Sequence, residues 1–277
     1  MEWNWLLGLI YGALGGLFEF LPVSPQVHQE VFRKLTGLEE GGYGLSFAVH
    51  LGALAAVILS YYGSISKLFR EQKIAGQPKR RRKRQPDFVS LMQLRLLKIA
   101  AVPVILSSLM APWVGQYVNR MWLLAILTVL SGIVVLLPHY MSRANKDARA
   151  LSPLDATLIG VGGILGALPG FSRVGALISV ASMRGADRQF GLECTYLLAI
   201  PALAALCVGD LGMLIFTGAP QTGVSFLAGI LACIAAFGAG FAGIRLMRFL
   251  AVKDGYESLA YYSWGLAMLT FILYLIG

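Results

Sequence analysis

Six stretches of this chain, residues 44–63, 99–118, 121–138, 194–216, 224–244 and 258–277, are apolar over about the 20 residues that a helix needs to cross a bilayer. His50 sits in the first, Pro103 in the second and Asp210 in the fourth. A chain built this way reads as an all-α polytopic membrane protein, one membrane domain over residues 1–277. Composition agrees: hydrophobic residues make up 57% and charged residues 13%, about half of the roughly 25% usual in soluble domains. A disordered chain, a disulfide scaffold and an ordinary cytosolic enzyme are thereby excluded. Cys194, Cys207 and Cys233 all lie in apolar stretches with no CxxC or Cys/His pairing, so they read as core residues. The first apolar run follows Glu2 and ends at Glu19, which is not the pattern of a cleaved leader.

Two further apolar regions break in the middle. Residues 5–21 run into Pro22, Ser24, Pro25 and His28, and a second half continues toward Arg33 and Lys34. Residues 156–168 run into Pro169, Gly170, Ser172 and Arg173, and a second half continues to Met183. Irregular backbone at membrane depth survives only where protein or a water-filled cavity covers it. Both regions therefore read as re-entrant helix hairpins, over 5–34 and 154–183.

The two halves echo each other. Gly8, Gly12 and Gly16 precede Leu21-Pro22-Val23-Ser24 and then Ala53-Leu54-Ala55-Ala56. Gly162, Gly166 and Gly170 surround Leu168-Pro169-Gly170-Phe171-Ser172, and Ala202-Leu203-Ala204-Ala205 follows. The order predicts a first repeat over 1–66 and a second over 154–216, with the glycine ladders as helix-packing faces. Lys/Arg bias sets the orientation. Six of the bases behind the net charge of +9 form one run, Lys79 to Arg84, so the basic loop 67–98 is cytoplasmic. Arg143, Lys146, Arg149, Arg184, Arg188, Arg245, Arg248 and Lys253 fall on the same side, while 113–120 and Gly218–Gly223 fall outside. The hairpins then enter from opposite faces and form an inverted repeat. Such repeats place sites near the midplane, with helix N-termini aimed at anionic groups. The basic run reads as a topology signal, or more sharply as a contact for anionic lipid. No recognition module around it suggests nucleic acid.

Chemistry concentrates at the two breaks. An ionisable side chain inside a span is costly and by default marks function. Arg173 follows a Pro-Gly break, and a guanidinium beside backbone N–H groups freed at Gly170 and Ser172 makes a phosphate cradle. Glu19 can hold a divalent cation, Mg²⁺ or Ca²⁺, that bridges to phosphate oxygens, or it can pair with Arg173. His28 is an acid or base candidate. Ser24 and Ser172 can donate hydrogen bonds, or one could attack. Ser24 also suits a helix cap. His50 reads as a helix-packing residue, with a site-lining role as the alternative. Asp210 and Glu193 read as solvated or paired groups near helix ends.

These tips resemble the bacitracin-resistance type of undecaprenyl-diphosphate phosphatase, whose motifs have the forms E-G-x-x-E-F-L-P-V-S-S-x-x-H and P-G-x-S-R-S-x-x-T. Gly16, Glu19, Phe20, Leu21, Pro22, Val23, Ser24 and His28 match the first; Pro169, Gly170, Ser172 and Arg173 match the second. The resemblance implies six spans, two re-entrant hairpins and an inverted repeat in the bacterial cytoplasmic membrane. It implies hydrolysis of a polyprenyl diphosphate to the monophosphate carrier of cell-wall synthesis, at a site open to the outer face. Glu19 would hold the metal, Arg173 and Ser172 the diphosphate, and His28 would give acid/base support. A homodimer is compatible with it. The chain departs from the motifs at four positions. Gly15 replaces the first acidic residue, Pro25 a serine often taken as the nucleophile, and Val174 and Leu177 a serine and a threonine. Those losses keep two other readings in play: a transporter of polyprenyl phosphate, or a paralogue that only binds it.

Overall fold

The computed structural model describes residues 3–118, 120–141, 145–217, 224–252 and 255–277. Glu2, Arg143, Lys253 and the loop 218–223 lie outside them. The described chain is helical: α1 Trp5–Glu19, α2 Pro25–Thr36, α3 Gly42–Ser60, α4 Tyr62–Gly76, α5 Phe88–Val118, α6 Met121–Leu136, α7 Pro153–Leu165, α8 Arg173–Met183, α9 Arg188–Thr217, α10 Phe226–Val252 and α11 Leu259–Ile276. Six helical stretches are long and apolar enough to cross a membrane: Gly42–Ser60, Phe88–Gln116, Met121–Tyr140, Arg188–Thr217, Phe226–Ala251 and Tyr256–Ile276. This is a multi-pass membrane protein.

The basic segment 67–98 is mostly helix rather than loop. The non-α connection is residues 77–87, between the end of α4 and the start of α5, with a 3-10 turn at Lys79–Arg81. Charge density hid an amphipathic helix: α4 is rich in good helix formers and buries Leu68 and Glu71 while Lys67 and Arg70 stay exposed.

Both broken regions are helix pairs, and each break ends the same way. Ser24 caps α2, its Oγ accepting the Val27 N–H at 3.4 Å, with Pro25 as the first helical residue. Ser172 caps α8, its Oγ accepting the Gly175 N–H at 3.0 Å. A hydroxyl acceptor at the cap satisfies one of the donors that a helix start leaves open, and proline there removes another.

Packing relates the two halves. Helix α10 lies against α1 and α3, and α5 lies against α7 and α9. Helix α11 touches α2 as α6 touches α8, while α3 packs on α9 and α6 on α11. Exchanging α1, α2, α3, α5 and α6 for α7, α8, α9, α10 and α11 leaves this set of contacts unchanged. Each short helix pair is thus braced by a long helix from the other half of the chain.

Glycines permit the closest of these approaches. A Cβ on Gly8, Gly12 or Gly16 would lie 2.6, 2.2 or 2.2 Å from the carbonyl oxygen of Ala228, Ala232 or Ala236 on α10. The second ladder is not a helix face. Helix α7 ends at Leu165, so Gly166 and Gly170 lie in the break; Gly166 abuts the Arg173 backbone and Gly170 adopts φ 90°. Contact with α5 is made instead at Gly160, whose Cβ would meet the Ala100 oxygen at 2.5 Å.

Candidate functional site at the junction of the two breaks

The breaks meet each other. Ser172 Oγ donates to the Leu21 carbonyl at 2.8 Å, and the buried Tyr196 hydroxyl donates to the Phe20 carbonyl at 2.8 Å. The Ser172 N–H donates to Ser131 Oγ at 3.1 Å, and Thr128 Oγ1 donates to the Gly170 carbonyl at 3.3 Å. Non-helical backbone in a dry interior needs such partners, because an unpaired buried peptide group costs about as much as a lost hydrogen bond. The polar residues of the tips are therefore largely structural, and they fix where the remaining charges point.

Those charges form a pair. Arg173 Nη1 donates to Glu19 Oε1 at 2.9 Å, and both side chains are 8% exposed. Arg173 Nε is buried and has no hydrogen-bond partner among the described residues. The pair borders a cavity of about 420 Å³. Tyr11, Gly15, Pro25, Gln29, His50 and Asp210 line it as well, and Glu30, Arg33, Glu40, Tyr43 and Gln116 also reach it.

Of the residues singled out from the motifs, Glu19 and Arg173 line this cavity; Ser24, His28, Gly170 and Ser172 do not. The register of α2 explains it. Gln26, Gln29, Glu30 and Arg33 follow helical spacing and face the cavity, which turns His28 away. The His28 ring stacks on Phe18 with centroids 3.5 Å apart. Its Nδ1 lies 2.6 Å from the Ser24 carbonyl and its Nε2 2.8 Å from the Tyr262 hydroxyl. Both ring nitrogens are committed to the scaffold. Ser24 and Ser172 are each 1% exposed and act as the caps described above. Gly170 supplies the left-handed turn, where a side chain would also press on the Leu124 oxygen and Leu127 at 3.0 Å.

Residues 8–269 match the family described as bacitracin resistance protein BacA. The chain belongs to that family. It is 28% identical to an undecaprenyl-diphosphatase of Carboxydothermus hydrogenoformans over 99% of both chains. It is 25% identical to one from Nocardioides sp. over 99% of this chain and 98% of the other. A Neisseria gonorrhoeae undecaprenyl-diphosphatase is 28% identical over 98% and 96%.

The departures of this BacA-family chain now have places. Val174 and Leu177 are buried in the main apolar core, to which Phe20 and Val23 also belong. Pro25 and Gly15 line the cavity itself. A Cβ at Gly15 would lie 2.5 Å from both Gln29 Nε2 and Val49 Cγ1, so a neutral amide occupies the space beside Glu19. The side chains of the described residues do not assemble an all-protein cage for a cation. Among the described residues no three His, Cys, Asp or Glu side chains converge on a point, and the one carboxylate expected to bind a cation is engaged by Arg173. Ca²⁺ takes six to eight oxygen ligands, whereas Mg²⁺ is held by one or two carboxylates plus waters and substrate phosphates, so Glu19 would have to leave Arg173 to serve it.

One pair at the cavity escaped the motif reading. His50 Nδ1 lies 2.6 Å from Asp210 Oδ2, and both residues line the cavity. His50 is a lining residue rather than a packing one. Asp210 is paired as expected but deep inside α9, not solvated at its end. The signal was present in the sequence: these are ionisable groups within two spanning stretches.

Proposed function

We propose that this protein hydrolyses undecaprenyl diphosphate, or a closely similar polyprenyl diphosphate, to the monophosphate carrier and phosphate in the bacterial cytoplasmic membrane, recycling the lipid carrier of cell-wall synthesis. The observation that carries this reading is Arg173, a buried guanidinium with an unpartnered Nε, held at the junction of two broken helices in a six-span protein. A cation kept there at such cost suits a ligand that brings dense negative charge into the membrane on an apolar tail. Glu19 holds the guanidinium in place until the head group displaces it. Helices α2 and α8 both begin at the junction, so the positive ends of two helix dipoles add to the field. The undecaprenyl-diphosphatase names of the aligned relatives supply the reaction.

The test is phosphate release from undecaprenyl diphosphate by the purified protein, with and without Mg²⁺. Release is expected from the native chain. In Arg173→Ala the affinity for the diphosphate lipid should fall about 100-fold, the scale of losing one or two hydrogen bonds to a charged group. Unchanged affinity would remove Arg173 from the site. A native protein that binds the lipid without releasing phosphate would favour the transport or binding reading, which a flux measurement in vesicles separates.

A further inference from the structure

The motifs account for one ion pair at the cavity, Arg173 with Glu19, and Arg33 pairs with Glu30 and Glu40 within the first half of the chain. A further pair joins the halves of the chain: His50 comes from α3 and Asp210 from α9, helices that pack directly on each other. Asp210 is 3% exposed and His50 23%, so the carboxylate is the more buried partner and the ring the more open one. At 2.6 Å the carboxylate oxygen accepts the Nδ1–H. That fixes the tautomer and leaves the lone pair on Nε2, the nitrogen on the far side of the ring from Asp210. A buried aspartate that orients a histidine and steadies its protonated form is the arrangement that makes imidazole an effective base.

The motif residues that could take this role are occupied or missing, and the cavity carboxylates Glu30 and Glu40 pair with Arg33. His28 has both nitrogens engaged outside the cavity, Ser24 is buried as a cap, and Pro25 has no hydroxyl. Glu19 is neutralised by Arg173.

We infer that His50, oriented by Asp210, is the general base of this cavity and activates water for attack on the terminal phosphorus of the diphosphate held by Arg173. The inference rests on the hydrolytic reading above. In the step, the Nε2 lone pair takes a proton from water and the water oxygen bonds to the terminal phosphorus. The bond from that phosphorus to the bridging oxygen breaks, and its electron pair leaves on the bridging oxygen as the lipid monophosphate. The terminal group departs as orthophosphate, and the proton on Nε2 passes to water in the cavity. No phosphoryl group is attached to the protein. His50 is the catalytic residue and Asp210 a positioning residue.

The experiment measures turnover and lipid affinity separately, in the native full chain and in His50→Ala, His50→Gln and Asp210→Asn. General-base removal costs about 10²- to 10⁴-fold. In both His50 variants kcat should fall on that scale while the Kd for undecaprenyl diphosphate holds. Added imidazole should restore part of the His50→Ala rate, which no structural role would allow. His50→Gln keeps a hydrogen-bond donor for Asp210, so it tests the base even where the alanine variant fails to fold. Asp210→Asn should lower kcat with Kd retained. Full turnover in His50→Gln beside an active native protein would overturn the inference and leave the hydrolytic reading standing. Loss of affinity in step with turnover would also overturn it, making His50 a binding group. No phosphate release from the native chain would overturn both.

Discussion

Asp87 shows how single residues turn the basic connection into structure. Its carboxylate accepts hydrogen bonds from Ser90 Oγ at 2.8 Å and the Val89 N–H at 3.0 Å, and it pairs with Lys67 at 3.1 Å. Ser90 and then Lys67 hold its pKa down at about 2. Beside it, Glu71 accepts the Asp87 N–H at 2.9 Å and pairs with Arg84, and Arg82 donates to the carbonyls of Ala75 and Gln77. Two of the six clustered bases are therefore fastened into the connection, and the run is more than a topology signal. A carboxylate whose pKa is lowered in the folded state adds stability that is complete above its ordinary value near 3.8 and is lost as pH falls through about 2. Asparagine also caps helices well, so Asp87→Asn removes the charge and little else. Its melting temperature should lie one to a few degrees below the native value at pH 6. The gap should close as pH drops from 4 toward 2, and a gap that persists there would assign the effect to packing.

At the scale of elements, the contact of α1 with α10 decides where Glu19 stands, because Glu19 ends α1. The contact depends on atoms that Gly12 lacks. A Cβ there would lie 2.2 Å from the Ala232 carbonyl oxygen and 2.5 Å from its Cα, both backbone atoms that cannot rotate away. Gly12→Val should destabilise the protein by about 1–3 kcal/mol, the range of overpacked cores, and should lower turnover by shifting Glu19 off Arg173. Gly229→Ala, on α10 with nothing within 4 Å of its added Cβ, should be neutral or slightly stabilising. Equal thermal stability of the two variants would refute the close approach. The first ladder was legible in sequence because Gly8, Gly12 and Gly16 recur every four residues inside one helix. The second had the same spacing, yet Pro169 lies within it and the helix ends first. The two breaks could be read from proline and serine, and Glu19 and Arg173 from the cost of charge in hydrocarbon. Which face α2 turns to the cavity could not, since it depends on Phe18 and Tyr262 gripping His28 from α1 and α11. His50 and Asp210 were visible one at a time, but their pairing spans 160 positions and exists only once α3 and α9 are packed.

Over the whole molecule the cavity and the basic surface occupy opposite ends. Helix α3 runs from Gly42, beside the cavity-lining Tyr43, to Ser60 and the basic helix α4, and α5 runs from Phe88 to the cavity-lining Gln116. The basic end is held together by its own pairs: Arg184 with Asp155 at 2.6 Å, Arg188 with Glu257 at 2.7 Å, and Arg248 over the Tyr61 ring. Positive charge is retained on the cytoplasmic side of a membrane, which predicts that the cavity faces outward. A head group presented at the outer leaflet can then reach Arg173 without crossing the bilayer. Labelling tests this in a chain with Cys194, Cys207 and Cys233 replaced. Glu40→Cys, at a position 73% exposed near the cavity, should react with a membrane-impermeant maleimide in intact cells. Arg81→Cys, exposed on the basic connection, should react only after the cells are opened. The reverse pattern would turn the protein over and place Arg173 within reach of the inner leaflet, where a diphosphate carrier would meet it before export rather than after.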